Sequence, residues 1–376
     1  MISLNIMKYI RFISKIFKIR GEIKHKSDMG FFQLGRELYE FLTLNKMEPD
    51  EYYLYHLYKP EFSREDKMRF LSRNQYYLIE SRLNPRNEVG ILNKFVFNCY
   101  ARSVGLPVPE MHGVFDPHSG FTSDGERLQT AEDLEKLFID NPSISYIIKP
   151  TGSSQGKAII KCKAADDGYV HIFRHGDIAI EEFYNRLCDN LINDPDLKND
   201  VYIIEKTIKQ HPFLDNYCDT SAQTIRILTF KTSSKEIEIL ARHLKLARKG
   251  SYIDNIALSG LGAGVDENGV LDYARLITED DIVLYENHPD TGYPVKGVTI
   301  PYFSEVIELA KKAQSRMLHL RLVGWDILIT ENGPVIVEGN YGSDHDSIQL
   351  VSGRGFNTGN FAKELEKLFN KTDSIK

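Results

Sequence analysis

Cysteine is scarce in this chain and poorly spaced for chemistry: Cys99, Cys162, Cys188 and Cys218 stand far apart, with no Cys-x-x-Cys pair. Such spacing indicates neither a zinc knuckle nor a disulfide framework, and it fits a reducing cytoplasm. Long apolar runs are missing from the amino-terminal segment Met1 to Lys24 too, which offers no bilayer span and no signal-peptide core. Nor is there an excess of positive charge. The net charge is −6 and the pI about 6.0, which argues against a duplex nucleic-acid binder with an extended basic face. No internal repeat is apparent. What is present is ordinary for a globular protein, with 42% hydrophobic and 27% charged residues. At 376 residues the chain is long enough for two or three subdomains around a sizeable core.

The segment Val323 to Gly342, VGWDILITENGPVIVEGNYG, carries the most chemistry. Its alternation predicts two antiparallel strands, Asp326 to Ile329 and Val335 to Asn340, joined through the turn-forming Glu331-Asn-Gly-Pro334. Asp326 is expected to begin the first strand and Glu338 to end the second, with Glu338 and Asn340 on one face. Hard oxygen donors without His or Cys suit magnesium, which leaves coordination sites for phosphate. A solvated hairpin is the competing account of the same residues.

Upstream, Tyr146 to Cys162, YIIKPTGSSQGKAIIKC, reads as strand, small polar loop and strand. Lys149 closes the first strand. The loop of Thr151, Gly152, Ser153, Ser154 and Gly156 offers backbone N–H groups and hydroxyls suited to phosphate oxygens. It is not a Walker loop, because the required spacing is absent and a strand follows instead of a helix; an ordinary Gly/Ser hairpin turn remains the alternative. Val201 to Pro212, VYIIEKTIKQHP, is a buried strand with a polar exit. It is suited to present backbone groups to an adenine edge, with Ile203 and Ile208 as apolar faces and Glu205 beside the base.

In order, these motifs resemble the ATP-grasp superfamily, and the resemblance runs from about Leu92 to about Leu368. Members typically activate a carboxylate as an acyl phosphate and transfer the acyl group to a nucleophile. The resemblance implies that Lys94 and Lys149 are the two nucleotide-binding lysines and that Ser153, Ser154, Gln155 and Gly156 form the mobile glycine-rich loop. It likewise makes Glu205, Lys206 and Ile208 the adenine hinge and Asp326, Glu338 and Asn340 the metal ligands. Ser221 to Phe230, SAQTIRILTF, resembles the "DIR" strand of the ribosomal-protein glutamate ligases, placing Arg226 on the arginine that contacts the transferring phosphate. Lys245 and Asn255 fall on the basic strand and Asn that follow, although Gly260-Leu-Gly262 departs from a plain Gly-Gly. The Gln210-His211-Pro212, TIR and VGWDI motifs are most like the sugar-transfer-associated branch, which brings His211 into the nucleotide site.

The resemblance implies an α+β fold of two lobes holding ATP between them, with a helical amino-terminal extension and Mg2+ as cofactor. The expected segments are a basic amphipathic helix (1–25), a helical region (26–90), a first lobe with the glycine-rich loop (91–200) and a second with the metal site (201–376). The expected activity is ATP-dependent ligation of a small-molecule carboxylate to an amine or amino sugar, in surface-polysaccharide or related biosynthesis. A kinase on the same fold, passing phosphate to a hydroxyl, and a noncatalytic nucleotide-binding protein at the membrane are the alternatives. Tyr341, Ser343, Asp344 and His345 directly follow the metal hairpin and are candidates for acceptor contacts, with His345 as a base. In the amino-terminal helix, Lys8, Arg11, Lys15 and Lys18 form one basic stripe. Such a helix lies on an anionic membrane surface, docks on a partner or packs on its own domain.

Overall fold

Helices open the chain because its first hundred residues place apolar side chains at helical spacing, with Ser63, Ser72 and Asn93 as polar caps of later ones. The computed structural model describes residues 2–84, 89–153, 156–166, 168–198, 200–251, 261–278 and 281–370. Helices α1 (Ile2–Ile23), α2 (Phe31–Leu44) and α3 (Pro49–Leu54) share a core containing Leu34, Leu38, Phe41, Tyr52 and Tyr58. After α4 (Arg64–Met68), α5 (Arg73–Leu83) starts at Ser72, whose hydroxyl accepts from Gln75 N at 3.2 Å. Two short helices, α6 (Val89–Leu92) and α7 (Lys94–Ser103), lead into the lobes.

The first lobe is an antiparallel sheet of β1 (Met111–Phe115), β2 (Phe121–Thr122), β3 (Ser145–Pro150), β4 (Ile160–Ala164), β5 (Tyr169–Ile172), β6 (Gly176–Ala179) and β7 (Tyr202–Lys206). Its order is β2-β1-β7-β3-β4-β5-β6. Helices α8 (Ala131–Asp140) and α9 (Ile180–Asn193) cover one face, burying Tyr146, Ile148, Tyr202 and Ile204. The opposite face carries Ile147, Lys149, Ile203 and Glu205, by the two-residue period of a strand.

After α10 (Pro212–Asp215), the second lobe is built on β8 (Thr224–Lys231), β9 (Ile237–Leu246), β10 (Leu261–Val265), β11 (Leu271–Ile277) and β12 (Ile282–Tyr285). Helix α11 (Phe303–Arg316), β13 (Leu322–Thr330), β14 (Gly333–Asn340), α12 (His345–Ser352) and α13 (Gly359–Asn370) complete it. The order is β12-β11-β10-β9-β8-β13-β14, all antiparallel, with β14 at the edge. Val323, Trp325 and Ile327 point into the core shared with α11, where Trp325 Nε1 donates to Thr229 Oγ1 at 2.8 Å and Thr229 Oγ1 to Gln314 Oε1 at 2.6 Å. Alternation therefore sends Leu322, Gly324 and Asp326 to the other face. Residues of α6 and α7 (Ile91, Phe97 and Ala101) join the core of this second sheet, although the sequence reading assigns them to the first lobe.

Candidate active site

One lateral row of side chains organises the second lobe. Register sets Gly264 of β10 opposite His243, His243 opposite Arg226, Arg226 opposite Asp326, and Asp326 opposite Glu338. Residues paired in register share a face of the sheet, so a His, an Arg and two carboxylates run side by side across four strands. The sequence places Asp326 at a strand start. In the structure it is the fifth residue of β13, because Val323 and Trp325 extend the apolar alternation back to Leu322. The two carboxylates consequently meet mid-hairpin, and the turn is only Glu331 and Asn332, before Gly333 at φ +104°.

Asp326 is nearly sealed from solvent, 4% exposed. Its oxygens accept from Arg226 Nε at 2.6 Å, Arg226 Nη2 at 2.9 Å and Lys245 Nζ at 2.9 Å, while Asn340 Nδ2 stands at 3.4 Å. Burial alone would push its carboxyl up, but the charges of Arg226 and Lys245 and their hydrogen bonds outweigh that and hold it well below the usual 3.8. Arg226 is raised in return: burial opposes its charge, and Asp326 more than restores it. His243, buried beside these cations, is pushed down to about 3, which keeps it neutral. Gly324 is required next to this pair, since a Cβ there would lie 1.9 Å from Ser343 Oγ and 3.3 Å from Arg226 Cδ.

From the start of α7, Lys94 faces Glu338, with Nζ 3.9 Å from Oε1. It is the first residue of α7, where Asn93 caps by accepting from Val96 N at 3.0 Å. A cation in the first helical turn opposes the helix dipole, so its presence there strengthens an anion site at a cost to the helix. Burial pulls Lys94 below its ordinary value, with Glu338 acting against that. Its ammonium also donates to Ser153 O, and its backbone N to Thr151 O at 2.9 Å, so α7 ties the root of the glycine-rich loop to the second lobe.

In that loop, Thr151 N and Gly152 N donate to Asp200 at 3.2 and 2.9 Å. The first two amides of the expected phosphate cradle are thus satisfied by the protein. Gly156 takes φ +74°; Ser154 and Gln155 lie outside the described residues. Lys157, which directly follows the loop, is engaged by Asp194 at 3.2 Å and Asp196 at 2.5 Å.

Lys149 and Glu205 face each other at 2.7 Å, 5% and 4% exposed, and Asn98 Nδ2 donates to Glu205 Oε1 at 3.0 Å. Removing one member of such a pair strands the other charge in a site that water does not reach. Glu205→Ala is accordingly expected to lose about 3 kcal/mol or more of unfolding free energy, measured by urea denaturation; a loss under about 1 kcal/mol would mean that the pair is far wetter than its burial indicates.

The remaining expected residues are more dispersed. Lys206 is exposed, 3.5 Å from Glu110, and Ile208 packs against the core of the second lobe. His211 caps α10, its Nδ1 accepting from Phe213 N at 3.1 Å, and its backbone N donates to Ile329 O at 2.8 Å. Asn255 lies outside the described residues. Of the acceptor candidates, Ser343 and His345 are both 3% exposed, Asp344 caps α12, and His345 stacks on Tyr76 at 4.7 Å. His345 is thus packed between Tyr76 and Asp346, whose Oδ1 lies 3.1 Å from its Nε2.

Sequence reasoning missed Glu80 and Asn84. Glu80 accepts from Gly342 N, while Asn84 Oδ1 accepts from Arg321 N at 2.7 Å and Leu322 N at 3.1 Å. They hold the two ends of the hairpin to α5. Their four-residue spacing among the buried Tyr76, Ile79 and Leu83 was the available signal.

A family model described as sugar-transfer associated ATP-grasp matches residues 72–364. The chain belongs to this family. Solved structures similar to this ATP-grasp chain include D-alanyl-alanine synthetase A from Vibrio cholerae (TM-score 0.43, 9% identity, covering 75% of this chain and 65% of that one). Others are biotin carboxylase from Campylobacter jejuni (0.41, 13%, 73% and 48%) and the L-amino acid ligase from Bacillus licheniformis (0.36, 12%, 71% and 45%). The ATP-grasp chain spans about half the length of several of the structures it matches. No curated protein matches it.

Proposed function

We propose that the chain is an ATP-dependent ligase that activates a carboxylate as an acyl phosphate and joins it to an amine or related nucleophile, in surface-polysaccharide or related biosynthesis. The observation that carries this reading is the row Arg226, Asp326, Glu338, faced from the start of α7 by Lys94. Attack of a carboxylate on the γ-phosphate of ATP brings two anions together, so cationic charge must be fixed in place beforehand. Arg226 meets that requirement. Asp326 takes its Nε and Nη2 and fixes the guanidinium plane, while Nη1, which donates no hydrogen bond among the described residues, would meet a phosphate or acyl phosphate oxygen. Lys245, aimed at the same carboxylate, is the second positive group, and in this reading Asn255 completes the transfer site.

The donor set Asp326, Glu338 and Asn340 fits magnesium, being oxygen-rich and free of His and Cys. Glu338 fits best: its side chain is 34% exposed, and its nearest charged partner, Lys94, is 3.9 Å away. Magnesium, when bound, neutralises charge on the β- and γ-phosphates. Lys94, Lys149 and the loop Ser153, Ser154, Gln155 and Gly156 would hold the nucleotide phosphates, and Glu205, Lys206, Ile208 and His211 would border its base. The four cysteines, none in a disulfide, fit a cytoplasmic setting.

A kinase on the same fold is the second reading, since the cationic row serves phosphoryl transfer to a hydroxyl equally well. A noncatalytic nucleotide-binding protein is the third. Arg226 and Lys245 beside Asp326 weigh against that one, because binding alone needs no clamp for developing charge. Phosphate release from ATP and magnesium, screened across amino acids and amino sugars together with carboxylates, tests all three. The ligase is expected to release phosphate only when acid and nucleophile are both present. Phosphate retained on the product would establish the kinase, and nucleotide binding without turnover throughout the screen the noncatalytic protein.

A further inference from the structure

Helix α1 presents two apolar stripes, and the described fold covers one of them. Phe12, Ile16, Ile19 and Ile23 lie on one side, with Ile16, Ile19 and Ile23 buried against α2 and α3. Ile10, Ile13 and Phe17 fall on a second side, about 120° around the helix at its usual turn per residue, and are 60%, 48% and 64% exposed. The ridge continues onto α2. Phe17 packs on Phe31 with ring centroids 4.7 Å apart, and Phe31 meets Phe32 at 5.7 Å; Phe32 is 89% exposed. A contiguous row of large apolar side chains in water marks an interaction surface, whereas single exposed ones do not.

The charge around the ridge selects the occupant. Residues 10–36 hold seven Lys and Arg against two acidic residues, in a chain whose net charge is −6, so the rest of the molecule is strongly acidic. Lys15 turns toward Glu48 and Asp50, and Lys26 toward Asp281. Arg11, Lys18, Lys24 and Arg36 remain exposed. A two-fold contact through this ridge would press two cationic rims together. An anionic bilayer instead attracts the rim, receives the ridge and repels the acidic lobes.

We infer that Ile10, Ile13, Phe17 and Phe32 form a membrane-docking ridge that enters the interface of an anionic bilayer, with the surrounding Lys and Arg on its headgroups. No described helix is long and apolar enough to cross a membrane, so α1 lies along the surface. The inference is independent of the ligase reading and holds whichever reaction the lobes perform.

The test sediments the full chain with phosphatidylcholine vesicles, with and without phosphatidylserine, at low and high salt. Binding is expected only with phosphatidylserine, weakened at high salt. The double variant Phe17→Glu, Phe32→Glu is expected to bind at least about tenfold more weakly. Both side chains are exposed, so an unchanged thermal midpoint is expected to show that the fold is intact. Failure of the unaltered protein to sediment with phosphatidylserine vesicles would overturn the proposal, as would binding undiminished in the double variant. A lipid-free dimer that the double variant dissociates would overturn it too, by giving the ridge to a second copy.

Discussion

Glu338→Gln is expected to turn over ATP at least about a thousandfold more slowly than the unaltered protein, with a thermal midpoint within about 2 °C. The two halves of this expectation have different origins. Stability is spared because Glu338 lies on an edge strand, a third exposed, with its nearest charged partner at 3.9 Å; exposed or loosely paired charges add little. Activity is lost because the amide keeps the shape and removes the negative charge that suits a hard cation. Steady-state phosphate release paired with a melting curve reads both. Turnover within a few-fold of the unaltered rate would remove Glu338 from the proposed metal ligands.

Asp326→Asn is expected to do the reverse damage, costing about 3–5 kcal/mol of unfolding free energy before any effect on activity is considered. The substitution leaves Arg226 and Lys245 facing a neutral amide in a place sealed from water. Its pH dependence is the sharper signature. The folded carboxyl is held well below 3.8, whereas the unfolded one titrates near the ordinary value of about 3.9. A depressed folded pKa gives stability that is fully present above the unfolded value and is lost as pH falls below it. Across that window each pH unit removes about 1.4 kcal/mol for the one proton involved. Without nucleotide or magnesium, the unaltered protein is therefore expected to lose stability below about pH 4 more steeply than Asp326→Asn, by one proton's worth. Parallel slopes in urea titrations across that range would show that Asp326 is not the anchor of the cationic pair.

Much of the fold is legible in the sequence because its strands and helices keep their periods. TAEDLEKLFID predicts a helix capped by Thr130 with Asp133 at N3, and the structure has the reciprocal cap, with Thr130 Oγ1 accepting from Asp133 N at 3.3 Å. The two-lobed α+β architecture follows from the order of such segments, and the family model agrees with the resemblance read from the motifs. Local limits are less legible. Ile178 to Asn193 reads as a helix in the sequence, but the helix begins at Ile180, because Gly176 at φ +82° lets residues 176–179 fold back and pair with β5. Individual site candidates stand out by type and position, but their partners depend on register between strands far apart in the chain. The pairing of Arg226 with Asp326 spans 100 residues, and Asp200 beneath the glycine-rich loop is reached only through tertiary packing. No periodicity encodes those distances.

The lateral row ends at the rim of its sheet, and this gives its two acids different working lives. Asp326 is enclosed between neighbouring strands and clasped by three nitrogen donors of Arg226 and Lys245, so in the proposed enzyme it would be the acid that rearranges least. Glu338 has one open flank, so in the proposed enzyme it would be the acid able to exchange ligands without disturbing the backbone. A selection that tunes turnover is therefore expected to alter the surroundings of Glu338 first, because changes around Asp326 threaten the fold before they reach the chemistry.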